Sequence, residues 1–138
     1  MSLRLLLLAL LLIPLVHTHA ELRAGIAKIY ITDPTAGPVN DPCFAKALVL
    51  QEGDTLAVLV TVDAVAIGEI GRIGNGFLAT VRNQLEKEAG IPSGNIIVNA
   101  SHCHGVIRAD TAQLVIELVK VGMKNLVPVR VGAGTGHE

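Results

Sequence analysis

Apolar and polar residues alternate in some stretches of the chain and recur at helical spacing in others, and this pattern predicts its elements. Alternating or continuously apolar runs between turn-forming residues predict strands, which cover 22–33, 44–51, 55–67, 95–100 and 127–136. Apolar residues three and four positions apart predict two helices, over 77–90 and 110–126. Gly90 is expected to close the first helix, and Asp110 or Thr111 to cap the second.

The connections between these elements predict the fold class. A short turn at 52–54 indicates that the second and third strands form an antiparallel hairpin. The nearly uniform apolarity of 55–67 indicates a strand that is covered on both faces. Strands and helices alternate in the second half, which is typical of α/β proteins. We therefore expect a mixed β-sheet with packed helices.

The first 20 residues have the pattern of a secretory signal peptide. Arg4 precedes an apolar run from Leu5 to Val16, and small residues follow at Thr18 and Ala20. This run is shorter than the roughly 20 residues that a membrane-spanning helix needs. We expect 1–20 to be removed, leaving a secreted or periplasmic domain over 21–138 without a transmembrane span.

Composition excludes some functions and leaves the state of the two cysteines open. The formal net charge is −1, and the only aromatic residues are Tyr30, Phe44 and Phe77, which gives no charged or stacking surface for nucleic acid. Export would permit a disulfide between Cys43 and Cys103. Sequence spacing cannot establish that bond, because it requires the two α-carbons to lie within about 7 Å.

The stretch Asn-Ala-Ser-His-Cys-His-Gly, residues 99–105, carries the candidate chemistry. Strand alternation would place His102 and His104 on one face and Cys103 on the other. Two imidazoles at a strand end could approach a common metal ion, although catalytic zinc normally takes three protein ligands. Asp63, at the end of the third strand, is a candidate for orienting a metal-binding histidine. His137 lies one residue from the end and is a poor candidate for a further ligand.

Other interpretations of this stretch remain open. The histidines can be ordinary polar residues entering a loop. Cys103 could be a nucleophile, but alternation turns it away from both histidines, which favours a buried structural thiol. Asn99 begins an Asn-x-Ser glycosylation pattern, yet its place at the end of an apolar strand predicts that it is buried.

Four stretches in order resemble the neutral/alkaline (non-lysosomal) ceramidase family: AGIAKIYITDP, DPCFAKALVLQEGD, TVDAVAI and GIPSGNIIVNASHCHG. The family patterns are a first strand of the form G-x-x-x-x-D-I-T-P, a D-P-x-x-A-(K/R)-A segment, a strand ending in Asp, and a (T/S)-H-T-H-S-G-P motif. The tail NLVPVRVGAGTG resembles the family strand that follows the next helix. Cys103 stands where the family has Thr, and Gly105-Val106 replaces Ser-Gly-Pro.

The resemblance implies a zinc-dependent amidase that cleaves the N-acyl bond of ceramide. His102 would be a zinc ligand, and His104 would lie beside the metal and bind the reacting carbonyl. The family's other zinc ligands, a His, a Glu and a Tyr, match nothing in this chain. We therefore expect a partial zinc site in an incomplete N-terminal α/β domain, with little activity unless a C-terminal part or partner chain completes it. A lipid-like N-acyl amide would be the substrate. The alternative is a small non-catalytic secreted α/β binding module.

Overall fold

The computed structural model describes residues 20–136 and contains one five-stranded sheet with two helices. The strands are β1 (Arg23–Tyr30), β2 (Phe44–Glu52), β3 (Thr55–Val62), β4 (Ile96–Ala100) and β5 (Val127–Pro128). The helices are α1 (Phe77–Ala89) and α2 (Thr111–Lys124), and a short 3₁₀ turn (Ser93–Asn95) precedes β4. This arrangement confirms the predicted mixed α/β fold.

The sheet has the order β4-β3-β2-β1-β5 and combines both pairing modes. Strands β1, β2 and β3 pair antiparallel in chain order, so the predicted hairpin of β2 and β3 is confirmed. Strand β4 pairs parallel with β3 after the connection through α1, and β5 pairs antiparallel with β1. Parallel pairing brings the carboxyl ends of β3 and β4 to the same edge of the sheet, where ligands commonly bind in α/β folds.

The core lies on the face of the sheet that the two helices cover. Alternate sheet residues such as Val49, Val58 and Val60 point into it and are fully buried. They pack in one cluster with apolar residues of both helices, among them Leu85 of α1 and Ile116 of α2. Burying each such side chain stabilises the fold by roughly 1.5–3 kcal/mol, so this cluster holds the strand ends in place.

The opposite face of the sheet carries a row of apolar side chains that no described element covers. Ile26, Leu48, Leu59 and Ile97 lie side by side in the register of four neighbouring strands. Three of them are well exposed: Ile26 at 71%, Ile97 at 58% and Leu59 at 41%. The prediction that the third strand is covered on both faces is therefore wrong for the described residues, because both helices pack on one side.

Three strand predictions were too long. The first strand ends at Tyr30, and beyond it Thr32 forms only an isolated bridge to Ile107. The third ends at Val62, after which the backbone bends at 63–65 and keeps only single hydrogen bonds to its neighbours. The last is reduced to Val127–Pro128: the N–H of Val129 still donates to the Leu22 carbonyl, but the glycine-rich stretch from Gly132 has few side chains to pack on the sheet.

The helix boundaries agree well with the sequence pattern. Gly90 closes α1 in the left-handed conformation, as predicted. Helix α2 begins at Thr111, but neither candidate caps it through its side chain in the expected way. The Asp110 carboxylate instead binds Arg108, and the Thr111 hydroxyl donates to the Arg108 carbonyl at 2.6 Å.

Most of the predicted signal peptide, residues 1–19, lies outside the described residues, as do His137 and Glu138. Within 20–136, no helix has the length and apolar character needed to cross a membrane.

Candidate functional site

Asp63 joins three strand ends at the edge where β3 and β4 finish. One carboxylate oxygen accepts the backbone N–H of Phe44 at 2.9 Å, and the other accepts the hydroxyl of Ser101 at 2.9 Å. The backbone N–H of Asp63 also donates to the Phe44 carbonyl. A buried strand that ends in a carboxylate therefore fixes the segment that follows β4. Asp63 lies beside the predicted site through Ser101, the neighbour of His102.

Residues 101–105, hereafter the histidine loop, continue the pairing with β3 beyond the strands. The N–H of Ser101 donates to the Val62 carbonyl at 3.0 Å, and the N–H of Cys103 donates to the Ala64 carbonyl at 3.1 Å. Between these two bonds, His102 adopts a left-handed backbone with φ of 60°. Strand alternation thus fails as the reason for the side-chain directions, because β4 ends at Ala100 and His102 is not extended.

The two imidazole rings of the histidine loop nevertheless lie together. Their centroids are 5.0 Å apart, and the rings stand nearly perpendicular at 85°. The Nδ1 atom of His102 lies 2.9 Å from the Val65 carbonyl oxygen. That contact favours the tautomer that carries its hydrogen on Nδ1, which leaves the Nε2 lone pair free to bind a metal ion. The sequence suggested Asp63 as the group that orients a histidine ring. In the structure, the group in contact with the His102 ring is the Val65 carbonyl.

A cavity of about 570 Å³ adjoins His104. Its wall includes Ile70, Val106 and Ile107, and Arg72 supplies a charged group. Pockets of this size, mostly apolar with a few polar groups, are typical of small-molecule sites. The segment that forms much of the wall, 64–72, is the stretch where glycines interrupt the predicted elements. Gly71 allows its close packing, since a Cβ there would lie 2.4 Å from Val65.

Arg72 of the cavity wall belongs to a group of charged residues. Asp33 accepts the hydroxyl and the N–H of Thr35, and these bonds lower the pKa of its carboxyl, with Arg72 and Arg108 assisting. Arg72 lies 3.4 Å from Asp33. Arg108 also forms two bonds with Asp110, which lowers the pKa of the Asp110 carboxyl. The Arg72 pair ties the segment after β1 to the glycine-rich segment. Two backbone bonds of 2.9 Å, from the Asp33 N–H to the Val106 carbonyl and from the Arg108 N–H to the Ile31 carbonyl, tie it to the segment after the histidine loop.

The donor set fits a zinc ion only in part. Imidazole nitrogen is a preferred zinc ligand, and His102 and His104 offer two such nitrogens. Among residues 20–136, however, no three His, Cys, Asp or Glu side chains are grouped closely enough to hold a metal ion. A catalytic zinc normally takes three protein ligands, so a complete zinc site here would need further donors from outside the described residues.

Cys103 turns toward Cys43 rather than toward either imidazole. The two Sγ atoms are 3.9 Å apart and both thiols are free. Burial raises the pKa of the Cys43 thiol, and the neighbouring Cys103 adds to the effect.

Asn99, predicted to be buried, is exposed on the face opposite the helices, and its side-chain oxygen accepts the Thr61 hydroxyl at 3.1 Å.

Sequence reasoning missed two elements of the site. The Val65 carbonyl left no signal, because a backbone acceptor can belong to any residue. The role of Arg72 in the cavity could have been suspected from its place in a glycine-interrupted segment near the end of a buried strand, since such loops carry binding residues.

No protein-family model matches the chain, and no curated protein matches it in sequence. Solved structures do match its fold. Neutral ceramidase from Pseudomonas aeruginosa aligns with a TM-score of 0.62 and 18% identity over 79% of this chain. A ceramidase complexed with C2 aligns with a TM-score of 0.60 and 18% identity over the same share. The chain spans 22% of the length of each of these proteins. The mixed sheet and its two helices therefore have the fold of a part of neutral ceramidase.

Proposed function

We propose that this chain is an exported, partial ceramidase-like zinc amidohydrolase in which His102 binds the metal. The observation that carries the proposal is the placement of His102. Its Nδ1 is held at the Val65 carbonyl, which leaves Nε2 available as a metal ligand. The fold likeness to ceramidases and the four matching sequence stretches support the same assignment.

His104 has a different role in this proposal. Its ring lies against that of His102 and also lines the apolar cavity. It is therefore suited to bind the carbonyl of an N-acyl amide whose alkyl chain enters the cavity beside Ile70 and Ile107. Zinc, when bound, would supply a water of lowered pKa and polarise the amide oxygen. The chain's own residues orient the amide and shield it from bulk water.

Zinc binding by the purified chain tests the proposal directly. Equilibrium dialysis should detect weak binding that falls at least tenfold in His102→Ala, because a ligand is lost. Cys103→Ser is the matched control, since it changes the residue between the histidines and should retain binding. Equal zinc binding in wild type and His102→Ala would refute the metal role and favour a non-catalytic binding module.

The enzymatic part of the proposal needs a separate measurement. A fluorescent N-acyl sphingoid amide should be hydrolysed slowly or not at all by this chain alone, because two histidines cannot complete a catalytic zinc site. Hydrolysis that disappears in Cys103→Ser but persists in His102→Ala would instead identify a thiol-dependent hydrolase and overturn the zinc assignment.

A further inference from the structure

Two thiols from distant parts of the chain meet beneath the histidine loop. Cys43 directly precedes β2 and is 1% exposed. Cys103 lies between the two histidines and is partly exposed. Their Sγ atoms are 3.9 Å apart although 60 positions separate them in sequence. Neither thiol has a part in the proposed zinc chemistry.

The backbone on each side of this thiol pair is anchored. The N–H of Cys43 donates to the Thr32 hydroxyl at 2.7 Å, and its carbonyl accepts the N–H of Ile31 at 2.9 Å. The N–H of Cys103 is bound to the Ala64 carbonyl. The two sulfurs are therefore presented to each other by ordered segments rather than by chance contact of mobile side chains.

Gly105 lets the histidine loop close over the sulfurs. A Cβ at this position would lie 2.3 Å from the Sγ of Cys43 and 3.5 Å from that of Cys103. A cavity of about 360 Å³, lined by Cys43, Cys103 and His104 among others, opens beside the pair. A small oxidant can reach Cys103 from that side.

From this arrangement we infer that Cys43 and Cys103 form a disulfide that staples the histidine loop to the start of β2. With a small-molecule disulfide such as oxidised glutathione, the Cys103 thiolate attacks one sulfur and releases a glutathione thiol. The Cys43 thiolate then attacks the Sγ of Cys103 and releases the second glutathione. The two protein thiols lose two electrons and two protons, and the oxidised glutathione gains them. The pairing does not depend on zinc binding.

The bond would fix the loop that carries both imidazoles. In the reduced chain, the loop is held on the β3 side by main-chain hydrogen bonds. A disulfide adds a covalent bond on the β2 side. It also lowers the conformational entropy of the unfolded chain, because it closes the long stretch of chain between the two cysteines. The exporting compartments that the N-terminal pattern predicts are those in which such a bond persists.

The test is incubation of the reduced, purified chain with oxidised glutathione, followed by intact mass measurement and peptide mapping. We expect a loss of two hydrogens, a cross-linked peptide pair containing Cys43 and Cys103, and no thiol left to alkylate. In Cys43→Ser, Cys103 should instead retain glutathione as a mixed disulfide. A stable mixed disulfide on the wild-type chain, or two thiols that stay alkylatable, would overturn the inference.

Thermal unfolding checks the staple independently. Oxidation should raise the Tm of the wild-type chain by about 10 °C, reversibly with reductant, and should leave Cys43→Ser and Cys103→Ser unchanged. A disulfide that forms without any rise in Tm would overturn its role as a staple.

Discussion

Two glycines allow helix α2 to lie close to the sheet, and their contact yields a sharp prediction. Gly25 in β1 faces Gly122 in α2, and a Cβ built on Gly25 would lie 2.0 Å from the Gly122 carbonyl oxygen. Two hydrogen bonds hold this end of the helix region on β1. The Asn125 side chain donates to the Ile26 carbonyl at 3.0 Å, and Arg23 donates to the Leu126 carbonyl at 2.8 Å.

Replacing Gly25 with Ala forces that carbonyl away. Carbon and oxygen approach to about 3.3 Å, so the end of α2 must move by more than 1 Å. Overpacking of this kind costs about 1–3 kcal/mol, and each weakened hydrogen bond adds about 0.5–1.5 kcal/mol. Ala also lowers the conformational entropy of the unfolded chain, which offsets about 0.4–1 kcal/mol of this loss in stability. We therefore expect Gly25→Ala to lower the free energy of unfolding by about 3 kcal/mol.

Urea unfolding followed by circular dichroism measures the loss, and the Tm should fall by about 12 °C. Gly94→Ala is the matched control, because nothing lies within 4 Å of a Cβ at that exposed position. The control should be neutral or slightly stabilised. If Gly25→Ala and Gly94→Ala unfold at the same urea concentration, the helix end is not packed on β1 as described.

Three further outcomes follow from the site and the sheet. Asp63→Ala leaves the N–H of Phe44 without its acceptor, which should lower the free energy of unfolding in urea by about 1–3 kcal/mol. The amide of Cys103 should also exchange its hydrogen faster, and an unchanged exchange rate would contradict the anchoring role of Asp63. Leu59→Lys breaks the exposed apolar row, so light scattering should detect less concentration-dependent association than in wild type; equal association would exclude this face as the cause. Asp33 has a folded pKa below its ordinary value of 3.8, so its stabilisation is present above that pH and is lost as the pH falls through the folded pKa. Wild type should therefore exceed Asp33→Asn in stability at pH 7, and a gap that persists at strongly acid pH would refute the assignment.

Local sequence patterns predicted most of the fold because they record burial on one face of each element. The spacing of apolar residues identified both helices, and the turn at 52–54 identified the β2–β3 hairpin. The pattern failed for β3, because the burial of a strand face depends on whether another element packs against that face. Residues 55–62 are almost uniformly apolar, yet Leu59 is exposed because the helices lie on the other side.

The proximity of the two histidines was predicted from the sequence, but the geometry that produces it was not. His102 and His104 lie together, as expected, but through a left-handed residue and main-chain hydrogen bonds instead of strand alternation. The contact with the Val65 carbonyl depends on how two separate segments meet, which no local pattern encodes. The meeting of Cys43 and Cys103 is likewise a product of the sheet register between distant strands. Gly25 is a further example. The sequence does not say why the first strand needs a glycine there; the structure does, because a side chain at this position would collide with helix α2.

The way the histidine loop is held also bears on how such a site can vary through evolution. Its path depends on the amides of Ser101 and Cys103, which every residue except proline possesses. The side chain of Cys103 takes no part in these main-chain bonds and can be exchanged while the imidazoles keep their places, whereas the Ser101 hydroxyl also donates to Asp63. Position 102 is more restricted, because few residues tolerate its left-handed backbone. Mutational tolerance should therefore be higher at position 103 than at positions 101 and 102, so the chemistry beside the imidazoles can change while the main-chain path of the loop stays the same.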